Sequence, residues 1–337
     1  MQKKRILITG ASGFIGSTIV DKAIELGYEV WAGVRRNSSR EYLKDKRIHF
    51  VEFKYSSKDE LRSQLIDFKS NNGIFDYIVH SAGLTKAVDK SAFYDVNYQQ
   101  VKNFVDVLVE CDMVPALFVF MSSLGVLGPG DETGYSPFLQ DATPNPNTEY
   151  GKSKLMAEAY IKSVSNFPYL ILRPTGVYGP RDRDYLILMR AIKNRINVGA
   201  GFKKQLLSFI YVEDLASIIF RAIDRRVSMR GYNISDGDAY TDTEFNAMVQ
   251  DMLNIKWSIS FKLPLAIVRP AAYVSEKVAK IIGKATTFNT DKYKIMKQRN
   301  WACDISTMKQ ELDFEPQYKL KEGVEKTVSW YKSMGWL

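Results

Sequence analysis

Thr9-Gly10-Ala11-Ser12-Gly13-Phe14-Ile15-Gly16 stands between a short apolar run, Arg5 to Thr9, and a helical pattern, Phe14 to Leu26. Strand, glycine-rich turn and helix in that order are the setting in which a dinucleotide-binding turn works. Gly10 permits the tight turn, Gly13 lets backbone N–H groups approach a pyrophosphate, and Gly16 lets the helix pack closely on the strand. Ser12 lies in the same turn, and the helix N-terminus faces the anion. A glycine-rich turn without a ligand is the competing reading, and the flanking strand and helix count against it.

Working outward, the runs Glu29 to Val34, Ile48 to Phe53, Tyr77 to His80, Ala116 to Met121 and Tyr169 to Arg173 alternate with helical patterns such as Tyr94 to Cys111. That alternation signals βαβ units and a parallel sheet. Each run is nearly continuously apolar, as strands covered by helices on both faces are. The expected fold class is α/β, a doubly wound parallel sheet of the Rossmann type. After Pro174 the pattern turns irregular at Gly176, Gly179 and Pro180, which predicts a smaller C-terminal substrate-binding lobe. Phe209 to Leu215 reads as a strand running into a helix that returns to the first domain. The expected division is a nucleotide-binding domain over 1–175, with 206–230 returning to it, and a lobe made of 176–205 and 231–337.

The 337 residues are 45% hydrophobic and 25% charged, the composition of a soluble globular chain. The N-terminal apolar stretch is too short for a signal peptide or a membrane span, so a cytoplasmic protein is expected. Two cysteines, Cys111 and Cys303, and two histidines, His49 and His80, give little material for a metal site, a disulfide framework or a histidine-based triad. No metal is expected. The net charge of +9 admits nucleic acid, a membrane surface or an anionic small molecule. The Lys and Arg residues are dispersed and no nucleic-acid motif accompanies them, so a small-molecule substrate with a phosphate-bearing cofactor is preferred.

In NAD-selective sites an Asp or Glu about 20 residues past the glycines accepts hydrogen bonds from the adenosine ribose. Here the second strand closes on Val34-Arg35-Arg36-Asn37. An acid is missing, and two guanidinium groups suit a 2′-phosphate, so NADP is expected in preference to NAD. Two solvated surface charges are the alternative. Farther on, Tyr150-Gly151-Lys152-Ser153-Lys154 opens a helical stretch, which sets Tyr150 and Lys154 one turn apart on one face. A tyrosine near its ordinary pKa of about 10 is a poor acid–base catalyst at neutral pH, but an adjacent ammonium favours its anion. Ser123 ends the fifth strand run and Ser81-Ala82-Gly83 ends the fourth, both at the carboxyl side where a doubly wound sheet binds ligands. Asn97 could organise the helix behind the site, or be a plain helix residue.

These stretches in order, with LRPTGVYGPRD from Leu172, FIYVEDLA from Phe209, LDFEP from Leu312 and the closing EGVEKTVSWYKSMGWL, resemble the extended short-chain dehydrogenase/reductase family over nearly the whole chain. The resemblance implies an NAD(P)-dependent enzyme in which Ser123, Tyr150 and Lys154 act together, assisted by Asn97. It also implies cofactor contacts from Gly10, Gly13, Phe14, Ile15, Gly16, Arg35, Ala82, Pro174 and Val177, and a homodimer built on the helices Tyr94 to Cys111 and Tyr150 to Ser165. One position departs from the family: an Asp near the adenine is replaced by Phe53-Lys54-Tyr55, so Lys54 is expected to add positive charge.

Within the family, nucleotide-sugar epimerases and dehydratases compete with carbonyl and alcohol oxidoreductases such as dihydroflavonol reductases and 3β-hydroxysteroid dehydrogenases. The sugar enzymes typically carry Asn where Gly176 stands and Arg where Leu207 stands, and the dehydratases place Asp-Glu where Leu124-Gly125 follows Ser123. The expectation is therefore NADPH-dependent interconversion of a carbonyl and a secondary alcohol on a small apolar substrate. A nucleotide-sugar epimerase with tightly bound NAD(P) is the alternative. A non-catalytic NADP-binding sensor is disfavoured because Ser123, Tyr150 and Lys154 are all present. Toward the C-terminus, Ala271 to Lys284 is apolar with Lys277, Lys280 and Lys284 at helical spacing. Helices capping the crevice with one buried face are preferred there over a membrane-surface helix.

Overall fold

The computed structural model describes residues 3–284, 286 and 288–337. Its strands are β1 (Arg5–Thr9), β2 (Glu29–Gly33), β3 (His49–Val51), β4 (Tyr77–His80), β5 (Leu117–Met121), β6 (Tyr169–Pro174) and β7 (Gly176–Tyr178). They continue with β8 (Ile196–Ala200), β9 (Leu206–Leu207), β10 (Phe209–Tyr211), β11 (Arg230–Ile234), β12 (Tyr240–Thr241) and β13 (Ile259–Leu263). A seven-stranded parallel sheet runs in the order β11-β6-β5-β4-β1-β2-β3. The inner strand β5 is buried at every position, because helices cover both of its faces.

The helices are α1 (Phe14–Glu25), α2 (Lys58–Asn72), α3 (Ser91–Tyr94), α4 (Gln100–Glu110), α5 (Glu149–Ser163) and α6 (Asp184–Lys193). After them come α7 (Val212–Asp224), α8 (Asp242–Met252), α9 (Leu265–Ile282), α10 (Thr290–Lys297), α11 (Ser306–Leu312) and α12 (Leu320–Ser333). Residues alternate across the sheet: Ile6 and Ile8 pack with Ile19, Val20, Ile218 and Met308 of α1, α7 and α11. On the opposite face Leu7 joins Leu61, Phe104 and Ile161 of α2, α4 and α5. A third cluster, with Tyr178, Met189, Tyr211, Phe245 and Val324, forms the core of the smaller lobe from β7, β10, α6, α8 and α12.

Three features depart from the sequence expectation. The pattern from Tyr94 to Cys111 is not one helix: a π-helical turn at Asp95–Gln99 separates α3 from α4. The run Ile48 to Phe53 yields only the three-residue strand β3, whose first residue, His49, stacks on Trp31 with ring centroids 4.8 Å apart. The chain also stays with the sheet beyond 230, since β11 pairs with β6 along Arg230–Ile234 and α11 packs into the same core. β11 is too polar, Arg-Gly-Tyr-Asn-Ile, to read as a covered strand.

Candidate active site

Strand order reverses between β1 and β4, where Thr9 pairs with His80, and ligands of doubly wound sheets lie at such a switch point. Gly10 holds φ at +66°, which glycine adopts without a Cβ clash, and a Cβ there would come 2.8 Å from the Ala82 nitrogen. A Cβ on Gly16 would lie 2.2 Å from the Gly10 carbonyl oxygen, so α1 starts in contact with the turn. Gly13 is the N-cap of α1, with no side-chain cap and no acid in the first turn. The first N–H groups of α1 therefore remain free for an anion, with Ser12, Phe14 and Ile15 half-buried around them. These residues fit a pyrophosphate-bearing dinucleotide.

Thr9 ties the two strand ends together: its Oγ1 accepts from the Ala82 N–H at 3.1 Å and lies 3.1 Å from His80 Nδ1. Burial, aided by the charge on Lys154, pushes His80 down to about 3. His80 is a neutral core histidine.

Arg35 and Arg36 are exposed just past the end of β2. The expectation that no acid stands there is corrected by Glu52, whose Oε1 accepts from the Arg36 N–H at 2.9 Å. This acid comes from the adjacent strand, because Gly33 pairs with Val51. Counting along the chain from the glycines missed it, whereas parallel pairing of β2 with β3 would have found it. Lys54 does not add free positive charge either, since its Nζ is held by Glu60 at 2.8 Å.

The remaining expected residues lie on the loops after β4 and β5 and at the start of α5. Ser123 ends the extended segment after β5, and its Oγ accepts from the Gly125 N–H at 3.1 Å. Thr148 caps α5 by accepting from the Gly151 N–H at 3.0 Å. Gly151 lies so close to the turn after Ser123 that a Cβ would stand 2.5 Å from the Gly125 carbonyl oxygen. Tyr150 is thereby set against Ser123. Burial pushes Tyr150 up to about 12, and the Ser123 hydroxyl works in the opposite direction.

Lys154 follows one turn later. Its Nζ donates to the Met121 carbonyl at 2.8 Å and lies 4.8 Å above the Phe120 ring. Burial lowers it to about 8, while the Glu158 carboxylate acts to raise it. The phenolate expected from a Tyr–Lys pair is thus not favoured by these side chains alone. Asn97 is fully buried in the π-helical turn, accepts from the Leu84 N–H at 2.8 Å and donates to Ser153 Oγ at 3.1 Å. A Cβ on Gly83 would meet Asn97 Oδ1 at 3.0 Å and Lys154 Nζ at 3.1 Å, so Asn97, Lys154 and the loop after β4 share one small space.

Sequence reasoning missed the buried network behind Lys154. Ser122 Oγ donates to Glu158 Oε1 at 2.6 Å, and Arg173 Nη2 donates to Glu158 Oε2 at 2.6 Å. The signal was present, because Tyr150, Lys154 and Glu158 recur every four residues on one helix face.

Farther along the chain, Pro174 is buried at the end of β6 and Val177 half-buried in β7. A Cβ at Gly176 would stand 2.3 Å from the Tyr185 hydroxyl, and Tyr185 packs against Tyr178, Phe209 and Phe245. The space that a side chain at 176 would need is filled by an aromatic ring.

Comparison with known proteins agrees with this geometry. Residues 6–235 match the profile of the NAD dependent epimerase/dehydratase family. Sterol-4-alpha-carboxylate 3-dehydrogenase, decarboxylating, of Saccharomyces cerevisiae is 23% identical, over 96% of this chain and 97% of its own. UDP-glucose 4-epimerase of Vibrio cholerae is 25% identical, over 96% of this chain and 94% of its own. The dTDP-glucose 4,6-dehydratase of Bacillus anthracis, solved in complex with NAD, superposes with a TM-score of 0.76 at 21% identity, covering 99% of this chain and 98% of that one. The fold is shared with that structure throughout. With a glycine-lined switch point on a doubly wound sheet and a family match across most of its length, the chain belongs to the NAD dependent epimerase/dehydratase family of enzymes.

Proposed function

We propose that this enzyme is an NADP(H)-dependent oxidoreductase that interconverts a carbonyl and a secondary alcohol on a small apolar substrate. Gly10, Ser12, Gly13, Phe14, Ile15 and Gly16 hold the dinucleotide phosphates, Ser81, Ala82, Gly83, Pro174 and Val177 line its course, and Arg35 with Arg36 engages a 2′-phosphate. The nicotinamide, when bound, supplies or accepts the hydride. Ser123 donates a hydrogen bond to the substrate oxygen. Tyr150, whose buried phenol stays protonated at neutral pH, gives its proton to the developing alkoxide in the reduction direction. Lys154 stabilises the negative charge that this leaves on Tyr150, and Asn97 positions Lys154 by anchoring the loop at Gly83 and Leu84 to α5.

The observation that carries the substrate class is Tyr185. Its hydroxyl occupies the position in front of Gly176, and three more aromatic rings pack around it. A side chain at 176 able to hold a nucleotide diphosphate has no room beside it, which supports a carbonyl compound over a nucleotide sugar.

The test mixes purified enzyme with NADPH and a panel of apolar ketones and, separately, with UDP- and dTDP-sugars without added cofactor. Stoichiometric NADPH oxidation with alcohol formation is expected. Sugar interconversion without net cofactor consumption would instead establish an epimerase. Tyr150→Phe is expected to lower turnover at least about a hundredfold, the scale of general acid–base catalysis, while cofactor affinity by titration stays within a few-fold.

A further inference from the structure

The helix α9 is built the wrong way round for a crevice cap. Its inward stripe is small, Val268, Ala272 and Ala279, and packs against α10. The large apolar side chains point outward. Ile267, Val274, Val278, Ile281 and Ile282 are all exposed, Ile281 by 86% and Ile282 by 62%. Their spacing of three, four and seven positions places them on one face of the helix. The one buried face expected from sequence is present, but it is the face of small residues, and the large apolar ones lie opposite it.

The charges on α9 are equally one-sided. Arg269, Lys277 and Lys280 are exposed, with Lys284 just beyond the helix end. The single acid, Glu276, is turned inward, where its carboxylate accepts from the Thr290 N–H and hydroxyl and pairs with Lys90 at 3.2 Å. By helical rotation Lys277 borders the outward apolar stripe, and Lys280 lies farther round on the same side. The ribbon that precedes α9 in the chain also exposes apolar side chains. There β13 pairs in parallel with β8, Ile259 beside Ile196 and Phe261 beside Val198, and all four are exposed.

We propose that the outward face of α9, with the β8–β13 ribbon leading into it, docks on the surface of a bilayer bearing anionic headgroups. Large apolar side chains enter the acyl boundary while the exposed lysines of the helix meet the lipid phosphates and carboxylates, as in amphipathic helices that lie in the interface plane. Charge complementarity selects this occupant, since every exposed charge on α9 itself is positive, on a chain of net charge +9. Among the described residues no helix is long and apolar enough to cross a membrane, so the contact is peripheral. The face is joined to the site: Glu276 holds Thr290 at the start of α10, and the next residue, Asp291, accepts from the Glu149 N–H at 2.9 Å beside Tyr150.

The experiment is co-sedimentation of the full chain with vesicles of phosphatidylcholine, with and without phosphatidylserine. It needs no substrate, so its outcome is independent of the reaction proposed above. The protein is expected to bind the phosphatidylserine vesicles and to be released by added salt. Val274→Asp with Ile281→Asp is expected to reduce binding at least about tenfold, because two charges replace apolar groups at the acyl boundary. Lys277→Glu with Lys280→Glu is expected to abolish the preference for phosphatidylserine. All four positions are exposed, so thermal unfolding of both variants is expected to match the parent. No binding to either vesicle, equal binding to both, or unaltered binding by the Asp variant would overturn the proposal. So would conversion of a dimer to a monomer by the Asp variant without vesicles, which would assign the face to a second copy of the chain.

Discussion

Lys154 is governed by two neighbours of opposite effect, and this makes its contribution measurable. Burial holds its ammonium at about 8, and Glu158, one turn on, keeps it from falling further. The proposed role needs the charged form. The kcat/KM profile with cofactor varied reports the free enzyme and is expected to fall as pH rises through about 8. Replacing Glu158 by Gln removes the carboxylate that raises Lys154, so the falling limb is expected to move to lower pH. That change also strands the buried Arg173 guanidinium, at a cost of about 3–5 kcal/mol. Adding Arg173→Met is expected to recover stability, by thermal unfolding, while the limb stays displaced. A limb that returned with stability would show Glu158 to be purely structural. The exposed arginines answer to a different measurement. Charge-assisted hydrogen bonds contribute about 1.5–3 kcal/mol, so Arg35→Ala is expected to weaken NADPH binding roughly tenfold or more with little effect on NADH. Glu52→Gln is expected to strengthen NADPH binding, by removing a carboxylate from the edge where the 2′-phosphate would sit. Titration that found NADH preferred by the unaltered enzyme would refute the NADP assignment.

Among the secondary elements, those covered on both faces were the legible ones. β1, β4 and β6 sit within a residue of where continuous apolar runs in the sequence put them, because a run of Ile, Leu and Val between turn residues leaves few other structures. The π-helical turn was not legible. Apolar periodicity from Tyr94 to Cys111 continues through it, and nothing in that pattern reports that Asn97 turns inward to hold the loop at Leu84. Ser123, Tyr150 and Lys154 were readable as a group, but their contact depends on how α5 starts. Gly151 lets the first turn of α5 rest on the Gly125 carbonyl, 2.5 Å from where a Cβ would be. Gly151→Ala is therefore expected to displace Tyr150 from Ser123. A displacement of about 1 Å can lower turnover roughly a hundredfold, so kcat is expected to drop by about that factor. Cofactor affinity, carried largely by β1 and α1, is expected to change little. A KM effect alone, with kcat intact, would show that the close approach does not set the geometry.

The molecule as a whole closes its smaller lobe with residues far apart in the chain, which is why the sequence located the lobe only approximately. Its core takes Tyr178 and Met189 from one stretch, Phe209 and Tyr211 from a second, Phe245 from a third and Val324 and Tyr331 from the last. Asp214, buried on α7, joins this lobe to the sheet domain. Its two carboxylate oxygens accept from the Gln317 N–H at 3.0 Å and the Tyr318 N–H at 2.9 Å, just ahead of α12. At the far end of α12, the Tyr331 hydroxyl donates to the Asp182 carbonyl at 2.7 Å. Asp214→Ala leaves two backbone donors without their partner, each costing about 1–3 kcal/mol where water cannot replace it. The expected result is a lower unfolding midpoint together with proteolytic cleavage between 313 and 320 in the folded protein. Because α12 supports the aromatic wall around Tyr185 and makes no part of the glycine turn, substrate KM is expected to rise several-fold while cofactor affinity stays near that of the parent. Asp214→Asn, which keeps one acceptor, is expected to fall between the two. Equal loss of cofactor and substrate binding in Asp214→Ala would mean that lobe and sheet domain open as one unit, and that Asp214 does not act as the joint between them.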